Sequence, residues 1–423
     1  MGWKRGDIVM KSEPYTHVLS NKLRITRCSY CLQRKEELKR CTACSLLRYC
    51  GRECQRKDGL FHRMSASVYQ RVMPNTPTDS VLLMLRLFIK YMAGEHTKTV
   101  DGDPGLRTFQ TLMSHTEEVK NDPDRCDVFS KICHTLTLLA GPELQLPTTA
   151  ILLEIFGKMV INTFTIADEE LQDIGSGVYL SPATLDHRCR PNAVMSFQGR
   201  SLYVRAVEDI PDGDTASVSD HVFLNYVDQL ALSWERQKQL QQQYYFLCTC
   251  ARCSDAALDE LMTAENWSAS CQAVVDNVEH LKTSGEDPHK LLSLCKECLA
   301  RVEGRLSPYN VYRLRVLDRA LDAAICCGLW EDALSYGVQT LQPYRKFYVE
   351  YSPNLALQLM RVGKLQLWLG HIEDARTNLS QAEKIIRVTH GSDFDLYRQL
   401  CELLHQCVTE SQQLSQSPAL LSK

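Results

Sequence analysis

The pattern of apolar and polar positions changes character along the chain. At the start, G-D-I-V-M over residues 6–10 reads as a turn leading into a strand, which Pro14 ends because proline lacks a ladder N–H. From residue 76 to about residue 160 the apolar positions recur at helical spacing. Pro77 stands near a helix start, residues 81–92 are apolar, and Gly94 fits a helix end. A polar loop over residues 95–105 interrupts this pattern, which resumes through Leu139 and again from Pro147 to Val160. After Cys253 the chain is helical throughout. There G-L-W-E-D-A-L at residues 328–334 recurs as G-H-I-E-D-A-R at residues 370–376, forty-two residues later. Each copy follows a Ser-Pro segment, at Ser307 and Ser352. Repeated helix pairs with a small residue at the crossing predict a stacked helical array. The last residues, S-Q-Q-L-S-Q-S-P-A-L-L-S-K, read as a frayed tail.

Composition narrows the class. The 423 residues are 44% apolar and 23% charged, which suits a soluble protein of two to four domains. Within the most hydrophobic run, residues 81–92, Arg86 and Lys90 argue for a core helix rather than a membrane span. The opening M-G-W-K-R-G-D has no apolar signal segment and no myristoylation pattern. Nineteen cysteines without a secretory leader then point to metal ligands in a reducing compartment, and the expectation is cytoplasm and nucleus. Nine of them (Cys126, Cys133, Cys271, Cys295, Cys298, Cys326, Cys327, Cys401 and Cys407) lie in apolar helical stretches and read as core.

The other ten stand at metal-ligand spacing. One series is Cys28-x2-Cys31-x9-Cys41-x2-Cys44-x5-Cys50-x3-Cys54-x7-His62, in which close cysteine pairs form zinc-binding knuckles. The other joins Cys189 to Cys248, Cys250 and Cys253, four thiolates for a closed tetrahedral site. Over residues 22–63, twelve Lys and Arg face four Asp and Glu, a local charge of +8 in a chain of net charge −3. That basic surface fits a solvated face, a protein or peptide partner, or nucleic-acid phosphates. No recognition helix or set of stacking aromatics accompanies it, so nucleic acid ranks last.

Four segments complete the picture: N-T-F-T-I at residues 162–166, D-H-R-C-R-P-N at 186–192, N-Y-V-D at 225–228 and Y-Y-F-L-C-T-C-A-R-C at 244–253. In this order, behind such a cysteine series, they resemble the SET and MYND domain family of protein-lysine N-methyltransferases. The resemblance runs over nearly the whole chain. It implies an α+β multidomain protein: a small β-rich SET core, an inserted MYND zinc finger and helical insert, then an α-helical tetratricopeptide-like domain. The divisions it suggests are 1–27, a shortened N-terminal SET segment; 28–66, the finger; 67–160, the insert; 161–235, the SET core; 236–254, the post-SET zinc segment; and 255–423, the helical domain.

It also implies a chemistry, methyl transfer from S-adenosylmethionine to lysine of histone or other proteins. Asn162, Ala183, Leu185, Asp186 and His187 would contact that cofactor, Phe246 would cover its adenine, and Tyr226 would close the transfer channel beside it. Tyr244 and Phe164 would wall the lysine. Cys28, Cys31, Cys50 and Cys54 would share one zinc ion; Cys41, Cys44 and His62 would share another, whose eighth ligand in the family is replaced by Ala66. The site after the SET core would bring the total to two or three ions. A proline-rich peptide would be the finger's partner, with the protein monomeric and no membrane involved. The chain departs from the family at Asp186, where Asn is usual, and at Arg188, where Ser is usual. It also departs in the long turn before Tyr226 and in lacking the N-terminal glycine-rich loop. These departures keep a second reading open: a catalytically impaired scaffold or transcriptional regulator acting through partners.

Overall fold

The computed structural model describes residues 2–59, 62, 68–70, 75–105, 107–140, 145–211, 218–263 and 287–416. Its strands are β1 (Ile8–Ser12), β2 (Thr16–Leu19), β3 (Lys39–Arg40), β4 (Arg48–Tyr49), β5 (Thr163–Ala167), β6 (Asp173–Val178), β7 (Ala193–Gln198) and β8 (Ser201–Ala206). They make two three-stranded antiparallel sheets, ordered β1-β8-β7 and β2-β6-β5, and a small β3-β4 ribbon in the finger. The first strand thus pairs with the eighth, across nearly 200 residues of chain that hold the finger and the insert. The expected turn and strand at residues 6–10 are this β1, with a bulge between Ile8 and Met10.

The finger carries α1 (Arg52–Lys57), and the insert carries α2 (Asp79–Met92), α3 (Pro123–Ala140) and α4 (Thr149–Asn162). Thr78 caps α2 by accepting from the Val81 N–H, which satisfies one of the first-turn donors. Every residue of α2 from Val81 to Ile89 is buried, Arg86 included. A helix buried all round belongs inside a core, and here that core is shared: Cys28, Cys41, Cys44, Leu47 and Tyr49 of the finger pack in one cluster with α2 and α4. Arg86 gives Asp58, at the end of α1, two bonds of 2.9 and 3.3 Å, and Tyr49 Oη donates to the same carboxylate at 2.7 Å. This buried pair fastens the finger to the insert.

Beyond the core lie α5 (Ser233–Tyr244), α6 (Pro288–Val302), α7 (Val311–Cys326), α8 (Trp330–Phe347), α9 (Pro353–Trp368), α10 (Ile372–Thr389) and α11 (Asp395–Gln416). From α6 onward each helix packs on the next. The two repeated motifs occupy equivalent places: Gly328 and Gly370 have φ of +70° and +80° and turn the chain between helices, while Ala333 and Ala375 are fully buried at the crossings. A side chain on Gly363 would meet Leu379 Cγ at 2.7 Å, so α9 and α10 approach closely. The Ser-Pro segments are less alike. Asn310 caps α7 by accepting from the N–H groups of Tyr312 and Arg313, whereas Ser352, before α9, makes no side-chain cap. Cys295 and Cys298 are buried in α6 as expected, but Cys326 and Cys401 are exposed rather than core, and Cys271 lies outside the described residues. The array leans on β8 through the Tyr203 and Phe394 rings, on α5 through the Arg315–Glu235 ion pair at 2.7 Å, and on the loop before α5 through a 3.2 Å bond from Tyr348 Oη to Asp228. No described helix is long and apolar enough to cross a membrane.

Candidate active site and metal centres

The D-H-R-C-R-P-N stretch and the segment ending in Tyr226 run side by side. Leu224 N–H donates to the Asp186 carbonyl and Arg188 N–H to the Leu224 carbonyl, each at 2.9 Å, in a parallel bridge. Asn192 extends the pairing through its side chain, accepting from Phe223 N–H at 2.8 Å and donating to the His221 carbonyl at 2.7 Å. Tyr226 is held at both ends: its N–H donates to His187 Nδ1 at 3.0 Å and its hydroxyl donates to the Leu185 carbonyl. An Nδ1 that accepts leaves the proton on Nε2, which faces Cys189 Sγ at 3.3 Å. Burial and the nearby Arg236 push the His187 pKa down to about 4, so the ring is neutral at pH 7.

Tyr244 ends α5, and Tyr245, in the left-handed region at φ +60°, turns the chain so that Phe246 comes back beside it. The ring centroids of Tyr226 and Tyr244 are 4.9 Å apart, those of Tyr244 and Phe246 6.5 Å, and those of His187 and Phe246 6.1 Å. The rings of Tyr226, Tyr244 and Phe246 wall a cavity of about 480 Å³, a size typical of cofactor sites. Asn162, Phe164, Ala183, Asp186, Tyr226, Tyr244 and Phe246 all line it. Leu185 and His187 do not: both stand behind the wall and position Tyr226. Asn162 spends its amide N–H groups on the carbonyls of Met113 (2.9 Å) and Lys158 (2.8 Å). Burial, and then Asp186, hold the Tyr226 phenol well above its usual range. Arg188 lies 3.5 Å over the Phe223 ring, so it does not turn toward the Asp186 carboxylate.

The lining also includes Asn225, which opens the N-Y-V-D segment, and Thr184, between the expected contacts Ala183 and Leu185. Arg107, Met113, His115 and Met195 join them, and no motif had singled these out. His115 has φ +46° and packs its ring on Tyr245, 5.5 Å away, so two left-handed non-glycine residues meet at this wall. Residues 212–217 of the long turn before Tyr226 lie outside the described residues.

All three expected ligand groups assemble. Cys28, Cys31, Cys50 and Cys54 form one, Cys189, Cys248, Cys250 and Cys253 a second, and Cys41, Cys44 and His62 a third. Within each group the ligand atoms lie within 4.8 Å of one another. Contacts such as Cys189 Sγ to Cys253 Sγ at 3.4 Å and to Cys248 Sγ at 4.0 Å bracket the roughly 3.8 Å edge of a tetrahedron with 2.3 Å zinc–sulfur bonds. These donors fit zinc. In the third group Gln55 donates to Cys41 Sγ at 3.4 Å and His62 Nε2 lies 3.2 Å from the same sulfur; Ala66 lies outside the described residues. Behind the second group sits Arg236, fully buried, with Nε 3.3 Å from Cys189 Sγ and Nη2 3.5 Å from Cys253 Sγ. Nothing in the sequence distinguished this arginine from a surface residue on α5.

Comparison with known proteins follows the same lines. A MYND finger family model matches residues 28–65. The chain is 35% identical to the human histone-lysine N-methyltransferase SMYD3 over 408 residues, covering 95% of this chain and 92% of that one. It is 34% identical to the Mus musculus protein of the same name, again over 95% and 92%. Against the human N-lysine methyltransferase SMYD2 it is 28% identical over 92% of this chain and 90% of that one. With the aromatic cavity, the finger and the second thiol group all in place, the chain belongs to the SET and MYND domain family of protein-lysine N-methyltransferases.

Proposed function

We propose that the protein transfers a methyl group from S-adenosylmethionine to the side-chain amine of a lysine in a protein substrate. The observation that carries this is the cavity where Tyr226, Tyr244 and Phe246 meet Asn162 and Asp186. S-adenosylmethionine, when bound, supplies a methyl group on a sulfonium cation; Asn162, Ala183, Asp186 and Phe246 are the residues that would hold it. The Asp186 carboxylate suits an ammonium, and ring faces suit a cation.

The rest of the chemistry belongs to the lysine side of the cavity. A lysine amine must be neutral to act as a nucleophile, and a narrow aromatic wall disfavours its charged form. Tyr226 is not the base: its phenol is neutral and its proton already goes to the Leu185 carbonyl. Its oxygen therefore serves to orient the amine, and alignment of an in-line displacement is where much of the rate is gained. A protein substrate also has a route in. The cavity shares Met195 and Asn225 with a recess of about 240 Å³, which shares Leu171 and Asn354 with a cavity of about 580 Å³ between the SET core and the helical array.

Zinc belongs to both four-thiol groups and, less fully, to the three-ligand group. At the finger, a proline-containing peptide is the favoured partner. Calorimetric titration with S-adenosylmethionine, paired with methyl transfer to histones and cell extract, tests the whole reading. Tyr226→Phe should keep zinc content and fold while turnover falls roughly a hundredfold, the scale of removing one preorganised polar group. Binding without turnover in the parent chain would favour a scaffold instead, and full activity in the variant would remove Tyr226 from the mechanism.

A further inference from the structure

A separate cavity of about 280 Å³ lies between the finger, α2 and the β7–β8 turn, and shares no lining residue with the three just described. Its walls bring together Lys57 at the end of α1, Arg86 and Lys90 one turn apart on α2, and Arg200 from the turn. Two carboxylates line it, Asp58 and Glu95. Asp58 is taken up by Arg86 and by the Tyr49 hydroxyl. Lys90 reaches Glu95 at 3.2 Å, Arg200 reaches Glu13 at 3.0 Å, and Lys57 reaches Glu53, one turn back on α1, at 3.3 Å.

Those single contacts leave donors over, since an ammonium has three N–H groups and a guanidinium five. Aromatic faces fix the heads in place: Arg200 lies 4.3 Å from the Tyr30 ring centroid and Lys90 4.4 Å from that of Tyr15. His17, buried in the same wall, bonds the Tyr30 carbonyl through Nε2 at 2.8 Å. Burial first, then Arg86 and Arg200, press its pKa well below the usual value, the mark of a positive surrounding. Tyr15 adds an unmet need: it is 3% exposed, and its hydroxyl has no hydrogen-bond partner among the described residues.

We propose that this cavity binds a phosphate-class oxyanion, free or as the monoester of a small molecule, and that the anion clamps the finger onto the catalytic body. Donors converging from three separate stretches suit a tetrahedral anion with several acceptor oxygens better than a planar carboxylate. The volume admits a phosphate and a modest organic group, but no strand of nucleic acid. Tyr30 lies between Cys28 and Cys31, and Lys57 follows Cys54 by three residues. An anion here therefore touches a residue flanking each half of the first thiol group and should slow metal loss from it.

The test uses the full chain with its metal. Inorganic phosphate is titrated calorimetrically at constant ionic strength, with chloride as the control anion, and phosphoethanolamine is titrated in parallel. The expected result is a dissociation constant below about 1 mM for at least one probe. Preference for phosphoethanolamine assigns the site to a monoester, and preference for inorganic phosphate to the free ion. Arg200→Gln and, independently, Lys57→Gln should each weaken binding about tenfold, whereas Lys131→Gln, an exposed cation on α3 paired with Asp127, should not. Phosphate should also slow chelator-driven release of one zinc equivalent several-fold in the parent and not in Arg200→Gln. Absence of binding by both probes, or equal binding by the parent and by every folded variant, would overturn the proposal.

Discussion

The two four-thiol groups have the same ligands and different reach. The finger's group draws Cys28, Cys31, Cys50 and Cys54 from one short stretch and faces the insert. The second draws Cys189 to three cysteines some sixty residues later, in a small cluster with Tyr226, Tyr244 and Phe246. Cys189 also stands three residues after Asp186 and beside His187. One metal site thus builds a local module, while the other pins two halves of a catalytic wall. Identical coordination chemistry serves different ends because the ligands sit at different sequence separations.

The sharpest way to break this comparison is to remove one thiol from each. Cys253→Ala and Cys54→Ala should each lower bound zinc by one equivalent by elemental analysis. Turnover and S-adenosylmethionine binding should vanish only in Cys253→Ala, whose loss frees the segment carrying Phe246. Equal loss of cofactor binding in both variants would show that the finger supports the cavity as directly as the second group does.

A smaller effect separates cofactor recognition from the metal that frames it. Asp186 lines the cavity and has no cationic help from Arg188, which stacks on Phe223. An ionised Asp can only accept, where an Asn both donates and accepts. Asp186 is exposed, so regaining the donor is worth one ordinary hydrogen bond, about 0.5–1.5 kcal/mol, or roughly two- to tenfold in affinity. Asp186→Asn should therefore tighten S-adenosylmethionine binding by that factor at unchanged zinc content. A titration showing equal or weaker binding would mean that backbone groups, not this side chain, hold the cofactor.

The last change concerns Arg236, which donates to two sulfurs of the second group and has no arginine counterpart at the finger's four-thiol group among the described residues. Arg236→Met removes those bonds at similar volume. Outer partners of metal ligands commonly set affinity by ten- to a hundredfold, so the second zinc should leave about tenfold faster under chelator while the finger's ion leaves at the parent rate. If both rates change together, the arginine acts through the fold as a whole.

These contrasts also mark what the sequence could disclose. Ligand sets were legible because thiol chemistry leaves few other uses for ten cysteines at knuckle spacing, and the repeated Gly-x-x-Glu-Asp-Ala motif disclosed the helical array. Tyr226, Tyr244 and Phe246 were legible by resemblance. Arg236 and His115 were not, since an arginine on an amphipathic helix and a histidine in a loop look ordinary until the fold brings partners to them. Leu185 and His187, read as cofactor contacts, hold Tyr226 from both ends, a role that only the pairing of residues 186–188 with 224–226 discloses.

The Arg86–Asp58 pair carries a lesson for anyone dissecting the molecule. A cysteine-rich finger between sheet segments invites excision, swapping or expression on its own. Here the cut would strand a guanidinium inside α2, in the middle of the insert's core, and expose Cys28, Leu47 and Tyr49 on the other side. Losing one member of a buried ion pair typically costs about 3–5 kcal/mol, a sizeable share of the 5–15 kcal/mol that holds a whole domain. Finger and insert are therefore one inheritable unit: a functional chimera has to exchange residues 28–162 together, and a substitution at Asp58 is tolerated only alongside a matching one at Arg86.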